Sequence, residues 1–253
     1  MRTIWKFALA AAMVVVGTTA QAAGDVEQPK DIKWSHDGPF GTYDRASVQR
    51  GLQVYREVCS SCHSLRLVAF RTLRDIGLNE DEVKAVAAEY DITDGPNGDG
   101  DMFDRPGKPS DYFPSPFANS NAARASNNGA LPPDFSLIVK ARPGHSDYLY
   151  SLITGYSDPP ADVTLGDGMS YNPYFPGHQI AMAAPLSDDA VEYADGTSAT
   201  VDQMARDVVS FLAWAGDPYM EQRRGLGVKV VLFLVILTLL LYAAKRKVWS
   251  DLH

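Results

Sequence analysis

Cys59-Ser60-Ser61-Cys62-His63 is a C-x-x-C-H pentapeptide, the pattern through which a c-type haem is attached to a polypeptide. Two thiols three positions apart can each bond to one vinyl group of a porphyrin, and the imidazole that follows can bind one face of the iron. A thioredoxin-like C-x-x-C that happens to precede a histidine is the alternative. The motif predicts one covalently attached haem c, one-electron chemistry, and a fold built around that group.

The composition fits one globular domain with extensions at its ends. The chain has 253 residues, of which 45% are hydrophobic, enough to bury a full core. Both of its cysteines lie in the C-x-x-C-H motif, so none is left for a structural disulfide once they bond to haem. The formal charge of -8 argues against nucleic acid as a partner and favours a cationic partner or solubility alone.

The N-terminus has the pattern of an export signal. Arg2 and Lys6 precede an apolar run from Phe7 to Val16, and Ala20-Gln21-Ala22 offers a small-x-small cleavage site. An uncleaved anchor is the alternative, but the apolar run is short for a bilayer span. We predict a signal peptide at residues 1–22, so that the chain that follows is exported.

A second apolar segment lies near the C-terminus. Residues 226–244 are apolar except for one lysine and one threonine, a length suited to crossing a bilayer. Lys245-Arg246-Lys247 follows directly and fits a cytoplasmic stop, whereas a buried core helix is the alternative. We predict a transmembrane helix at 225–247 and a cytoplasmic tail at 248–253. The protein is then a single-pass protein of the inner membrane with its haem domain in the periplasm.

The body of the chain, residues 23–224, is predicted to be the periplasmic c-type haem domain. It is rich in Pro, Gly, Asn and Asp and has few strand patterns, whereas several segments have helical spacing or capping boxes. The fold class is therefore mainly α, a haem domain with long loops plus one C-terminal transmembrane helix. Helices are predicted before Cys59, from Asn79 to about Tyr90, over 146–156, and from Thr200 onward.

Residues 91–118 are expected to form a long acidic loop. The run Asn97–Asp101 invites comparison with a calcium loop, but Met102 stands where glycine is needed and Lys108 where a bidentate glutamate is needed. A second acidic group follows near residue 190. Each group is either a solvated surface or a steering surface for a basic redox partner. The acidic residues are Asp91, Asp94, Asp99, Asp101, Asp104 and Asp111, and then Asp188, Asp189, Glu192 and Asp195.

The second axial ligand of the iron decides whether a haem transfers electrons or binds small molecules. Met182 is the best placed of several candidates because prolines at 173, 176 and 185 restrict the backbone around it. Packing of Met182 in the core is the alternative. The other candidates are His36, His145, His178, Met102 and Met169.

Several ordered motifs are spread over nearly the whole mature chain. They are the C-x-x-C-H pentapeptide, Asn127–Asp134, Thr154–Pro160, Asn172–Gly177 with Met182, and the anchor ending in Lys245–Ser250. Together they resemble the cytochrome c1 family. The resemblance implies a cytochrome c-like haem domain with a membrane anchor, in an exported bacterial form. It also implies the haem subunit of the ubiquinol:cytochrome c oxidoreductase (cytochrome bc1) complex.

The same resemblance implies a set of site residues. It puts His63 and Met182 on the iron and the two cysteines on the vinyl groups. It puts Pro133 beside His63, where a backbone carbonyl would accept the imidazole N–H, and Arg142 near a haem propionate. A simple turn at Pro132-Pro133 and an ordinary surface arginine are the alternatives. Pocket-lining positions are Asn127, Ala130, Ile138, Tyr148, Ile153, Phe175, Ile180 and Pro185. The extra cysteine pair that braces the methionine loop of some bacterial relatives is missing here, which leaves the prolines to hold that loop.

The resemblance also implies partners and a role. Electrons would come from the [2Fe-2S] cluster of a Rieske protein and leave to a soluble or membrane-bound c-type cytochrome, with no substrate bond broken at the haem. The protein would be the redox subunit of an enzyme, with cytochrome b and membrane lipid as neighbours in a dimeric complex. Three alternatives stay open: a free-standing membrane-anchored carrier, a haem enzyme with an open sixth position, and a thiol oxidoreductase.

Overall fold

Helices are the predominant regular secondary structure of residues 26–250, the part of the chain that the structure, a computed structural model, describes. The predicted signal peptide at 1–22 and the last three residues of the predicted tail lie outside that range. The α-helices are α1 (Arg45–Val54), α2 (Glu80–Ala88), α3 (Ser120–Ser126), α4 (His145–Thr154), α5 (Val201–Gly216) and α6 (Met220–Trp249). The strands are β1 (Asp91–Asp94), β2 (Phe103–Pro106), β3 (Ser170–Tyr171) and β4 (Gln179–Ile180).

Helix α1 delivers the C-x-x-C-H motif, as the sequence predicted. It begins after Asp44, whose carboxylate accepts hydrogen bonds from the amides of Ala46 and Ser47 at 3.0 and 3.3 Å. One π-helical turn, Tyr55–Cys59, continues it directly. Such wide turns often occur at functional sites. The turn ends on Cys59, so the first thiol of the motif comes from rigid backbone rather than from a loop.

Helix α5 is the centre of the core. Thr200 caps it by accepting a hydrogen bond from the Gln203 amide at 3.2 Å, which is one half of the predicted capping box, while the Gln203 side chain donates to Asp207 instead. α5 packs against both α1 and α4. The helix is buried over nearly its whole length, which includes the fully buried side chains of Met204, Phe211 and Trp214. The apolar face that the sequence placed on this helix is therefore core.

Two predicted helices are confirmed with shifted ends. α2 begins at the predicted capping box, in which the side chains of Asn79 and Glu82 each bind the other residue's backbone amide. It ends at Ala88, before the predicted end near Tyr90. α4 runs from His145 to Thr154 rather than over 146–156.

The acidic segment 91–118 is not all loop, in contrast to the sequence prediction. β1 and β2 pair as an antiparallel hairpin, with Asp91 opposite Pro106 and Asp94 opposite Phe103. Arg105 supports the hairpin by pairing with Asp94 and with Asp111, the latter at 2.7 Å. Part of the acidic charge is thus neutralised within the segment.

Helix α6 extends away from the core and is apolar. It has 30 residues and a mean hydropathy of 2.6 in its most apolar window, and its apolar side chains are exposed. An α-helix rises about 1.5 Å per residue, so 30 residues exceed the thickness of a bilayer core. Among the helices of residues 26–250, α6 alone is long and apolar enough to cross a membrane. The predicted span at 225–247 lies inside it. Its first turn is bound to the start of α1, because Glu221 pairs with Arg45 at 2.7 Å.

Candidate functional site

A cavity of about 590 Å³ opens beside the C-x-x-C-H motif. Its walls come from the end of the π-helical turn, from segments 127–142 and 175–186, and from α4 and α5. The cavity reaches the surface at Leu131, which lines it and is 43% exposed. Its volume is in the range of ligand and cofactor sites, about 300 to 1,000 Å³.

All fourteen residues that the sequence and the resemblance put forward line this cavity. Their contacts with a haem stay predictions, but the fold brings them together from positions up to 126 residues apart in the chain. They are Cys59, Cys62, His63, Asn127, Ala130, Pro133, Ile138, Arg142, Tyr148, Ile153, Phe175, Ile180, Met182 and Pro185.

The two thiols are brought to one wall of the cavity by a tight turn. The amides of Cys62 and His63 both donate to the carbonyl oxygen of Cys59, at 3.1 and 2.9 Å. This turn places both sulphur atoms against the cavity. Burial raises the pKa of the Cys59 thiol to about 12, and the nearby Cys62 adds to the shift. The raised pKa favours the neutral thiol over the thiolate.

His63 presents one free ring nitrogen. Its Nδ1 atom lies 2.9 Å from the carbonyl oxygen of Pro133. A carbonyl can only accept, so Nδ1 carries the proton and Nε2 keeps a lone pair. Burial lowers the pKa of His63 below 6.5, although the hydrogen bond to Pro133 opposes this shift. The lowered pKa favours the neutral ring. The ring of Phe135 stacks on the imidazole with centroids 3.9 Å apart.

Met182 is the one candidate for a second axial ligand, among the six the sequence offered, that lines the cavity. His36, His145, His178, Met102 and Met169 lie outside its walls, and Met102 is 60% exposed. A thioether on Met182 and an imidazole on His63 therefore face one cavity from separate segments.

The methionine loop is held by more than its prolines. β3 and β4 pair just before Met182, with Ser170 opposite Ile180. The buried Asn172 ties this region to α4, because its Nδ2 donates to the carbonyl oxygen of Leu152 at 2.7 Å. The backbone N–H of Asn172 also donates to the carbonyl oxygen of His178 at 3.0 Å. The buried side chain of Asn172 and the two-stranded β3–β4 sheet therefore hold the methionine loop in a chain that lacks the extra cysteine pair.

Sequence reasoning missed part of the lining. Phe135, Val208 and Leu212 also face the cavity, and α5 contributes the last two from the apolar face predicted as core. Helical spacing marks such residues as buried but does not separate burial against protein from burial against a cofactor. Phe135 carried no signal of its own apart from its place two residues after Pro133.

The donor set fits a covalently bound haem. Two thiols, one neutral imidazole and one thioether face an otherwise apolar cavity, and the guanidinium of Arg142 lies at its wall. Thiols can form the thioether links, and a nitrogen and a sulphur can bind iron from two sides. A cation at the wall can offset a carboxylate of the porphyrin. The cavity therefore has the groups that haem c requires.

Comparison with known proteins identifies the family. The family model described as the cytochrome C1 family matches residues 34–252. The cytochrome c1 of Rhodospirillum rubrum is 49% identical over 99% of both chains. The mitochondrial cytochrome c1 haem protein of Saccharomyces cerevisiae is 54% identical, over 87% of this chain and 71% of its own. The cytochrome b/c1 of Bradyrhizobium diazoefficiens is 48% identical over 92% of this chain but only 37% of its own length. The chain belongs to the cytochrome c1 family.

Proposed function

We propose that this protein is the haem-bearing electron-transfer subunit of a cytochrome bc1 complex. It takes electrons from a Rieske [2Fe-2S] protein and passes them to a soluble or membrane-bound c-type cytochrome during quinol oxidation. The carrying observation is that, in a chain of the cytochrome c1 family, one apolar cavity gathers the C-x-x-C-H motif and Met182.

Each residue has a role that follows from its chemistry. Cys59 and Cys62 would hold the porphyrin through thioether bonds, and His63 and Met182 would bind the iron. Haem c, when bound, supplies a one-electron iron couple. The Met182 thioether favours the reduced state, and the apolar lining excludes water and acts in the same direction. Arg142 offsets the charge of a propionate.

The carbonyl of Pro133 orients the proximal ligand. By accepting the Nδ1–H of His63 at 2.9 Å, it fixes the tautomer and leaves Nε2 as the only ring nitrogen with a lone pair. Water has little access to this bond because His63 is buried. The His63 ring is thus held in one orientation by the protein itself, with Nε2 available to bind iron.

Membrane attachment places the site where both redox partners can reach it. We assign residues 23–224 to the periplasm, 225–247 to the membrane span and 248–253 to the cytoplasm. The basic run Lys245-Arg246-Lys247 supports this orientation, since basic residues favour the cytoplasmic side. Cytochrome b and membrane lipid are neighbours of α6, in a dimeric complex. The fused name of the Bradyrhizobium relative, cytochrome b/c1, supports the first of these partners.

One purification tests the proposal against its rivals. The protein is extracted from native membranes in mild detergent, and its companions are identified by mass spectrometry. Co-purification of cytochrome b and a Rieske protein supports the complex, whereas a pure haem protein without companions supports a free-standing carrier.

The spectrum of the same sample tests the site. A haem that acidic acetone cannot extract supports the two thioether bonds, and an extractable or absent haem contradicts them. Carbon monoxide should bind the reduced protein poorly, because Met182 would occupy the sixth position on the iron. Ready binding would favour an enzyme with an open position.

A further inference from the structure

Two short segments, 63–67 and 133–136, lie side by side beneath the cavity. The amide of Phe135 donates to the carbonyl oxygen of Ser64 at 2.8 Å. The amide of Leu67 donates to the hydroxyl of the fully buried Ser136 at 3.0 Å. The first segment begins with His63, and the second begins with the residue whose carbonyl binds the His63 ring.

The carboxylate of Asp134 joins these two segments. Its Oδ2 accepts hydrogen bonds from the Ser64 hydroxyl at 2.7 Å and from the Arg66 amide at 3.0 Å. The Arg66 guanidinium adds a longer contact at 3.3 Å. Its Oδ1 accepts from the Ser136 amide at 2.9 Å. The side chain is only 19% exposed, so water competes little for these bonds.

The residues on either side of Asp134 are the ones that touch the His63 imidazole. Pro133 precedes it and provides the carbonyl that binds Nδ1 at 2.9 Å. Phe135 follows it and stacks on the ring, with 15° between the two planes. Both contacts depend on the position of the backbone at residue 134, which the carboxylate helps to hold.

We propose that Asp134 is a positioning residue that sets the orientation of the His63 ring and the strength of its hydrogen bond to Pro133, and so the reduction potential of the haem. The inference rests on the proposed function, because it takes His63 as an iron ligand. A stronger Nδ1–H bond makes an imidazole a more basic ligand, which stabilises the oxidised metal. Loss of the carboxylate weakens that bond and removes a negative charge, so the potential rises.

Asp134→Asn is the main variant, because it preserves shape but replaces one acceptor oxygen with a donor. Ser64→Ala is the second variant and keeps the charge while removing one bond to the carboxylate. The matched control is Asp111→Asn. Asp111 is 17% exposed and accepts three hydrogen bonds, two from the Arg105 guanidinium and one from the Lys108 amide, and none from residues 63–67.

Three readouts are taken on the full-length holoprotein in detergent. Hydrogen exchange reports the backbone, where the Arg66, Leu67, Phe135 and Ser136 amides of Asp134→Asn should exchange about tenfold faster or more. The electron paramagnetic resonance spectrum of the oxidised haem reports the orientation of the imidazole plane, and it should change. Redox titration should give a higher midpoint potential. Ser64→Ala should change all three readouts in the same direction by a smaller amount, and Asp111→Asn should change none of them.

Two outcomes overturn the inference. Unchanged exchange and an unchanged resonance spectrum in Asp134→Asn do so even if the potential rises, since charge alone would then explain the rise. If Asp134→Asn yields no folded protein, the Ser64→Ala variant provides the test. An unchanged resonance spectrum in Ser64→Ala would likewise overturn the inference. Failure of the proposed function appears separately, as a wild-type protein that lacks thioether-bound haem.

Discussion

Gly51 in α1 lies directly against the backbone of Asp207 in α5. A β-carbon at Gly51 would stand 2.0 Å from the carbonyl oxygen of Asp207 and 2.7 Å from the β-carbon of Phe211. Both distances are far below van der Waals contact. The close approach of the two helices that carry the core therefore depends on a residue without a side chain.

Gly51→Ala should destabilise the protein by about 2 to 3 kcal/mol, because α1 and α5 must move apart. For a domain of this size that is a fall in melting temperature of about 5 to 10 °C, measurable by circular dichroism in detergent. Gly98→Ala is the control, since a β-carbon there meets nothing within 4 Å. Equal melting temperatures for Gly51→Ala and Gly98→Ala would contradict the packing described.

Arg50 neutralises a carboxylate that has no exposure to solvent. Asp207 is fully buried and accepts hydrogen bonds from Arg50 Nε at 2.9 Å and from the Ser47 hydroxyl at 2.7 Å. The hydrogen bond to Asp207 raises the pKa of the Arg50 guanidinium. Arg50→Met leaves the charge of Asp207 uncompensated in the core, so we expect a loss of about 3 to 5 kcal/mol in unfolding free energy.

Denaturant unfolding of Arg50→Met checks this value. Lys84→Met is the control, because Lys84 pairs with Glu80 on the surface of α2, where an ion pair contributes little. A double variant, Arg50→Met with Asp207→Leu, should recover part of the loss since it removes the unpaired charge. A double variant no more stable than Arg50→Met would show that the charge is not the cause.

These contacts mark how far the sequence could predict the molecule. The helices, the cavity-lining set and Met182 follow from local spacing and from a family resemblance, both of which are visible in the chain itself. The contact between Gly51 and Asp207 joins positions far apart, and so does the one between Asp134 and Ser64. The β1–β2 hairpin was missed for a related reason. Its acidic composition is typical of a solvated loop, and only the structure shows Arg105 lying between Asp94 and Asp111.

Met182→Leu should lower the midpoint potential and stop quinol-driven reduction of cytochrome c, because the thioether that favours the reduced iron is gone. Redox titration followed in the visible spectrum measures the first effect. Met169→Leu is the matched control, since Met169 lies outside the cavity walls. A Met182→Leu protein with the wild-type midpoint would rule out this ligand, and a shift in the control instead would point to Met169.

Asp134 should give the domain a measurable acid sensitivity. Burial raises the pKa of Asp134, but hydrogen bonds from Ser136, Arg66 and Ser64 outweigh it and bring that pKa down to about 2. An unfolded aspartate has a pKa near 3.9. The depressed value therefore contributes about 2 kcal/mol of stability above pH 4, and this contribution is lost as the pH falls from about 4 to 2.

The comparison of the wild type with Asp134→Asn isolates that contribution from other acid effects. The difference in unfolding free energy should be about 2 kcal/mol at pH 6 and should shrink toward zero near pH 2. Asp158→Asn, at an exposed position, should show no such trend. A difference between wild type and Asp134→Asn that stays constant with pH would mean that the variant acts through shape rather than charge.

We expect the acidic surface near residue 190 to attract the proposed electron acceptor, a cationic c-type cytochrome, more than the acidic segment near residue 100 does. Pro185 and Leu186, which line the cavity, immediately precede it. Gln53 links it to the motif, because its side chain donates to the Glu192 carbonyl and to the Glu57 carboxylate, both at 2.9 Å. Exposed carboxylates therefore follow directly in the chain after a cavity wall, and Glu192 is joined through Gln53 to the π-helical turn that ends at Cys59.

Asp189→Asn with Glu192→Gln should lower the rate of cytochrome c reduction several-fold at low ionic strength and flatten its salt dependence. Asp99→Asn with Asp101→Asn is the matched control, since it removes the same charge from the tip of the β1–β2 hairpin. Stopped-flow kinetics between about 10 and 300 mM salt distinguishes the two double variants. The Debye length is about 10 Å at 0.1 M salt, so only charges close to the bound partner still affect the rate at that ionic strength. An equal loss in both variants would mean that net charge, and not the surface beside the cavity, attracts the partner.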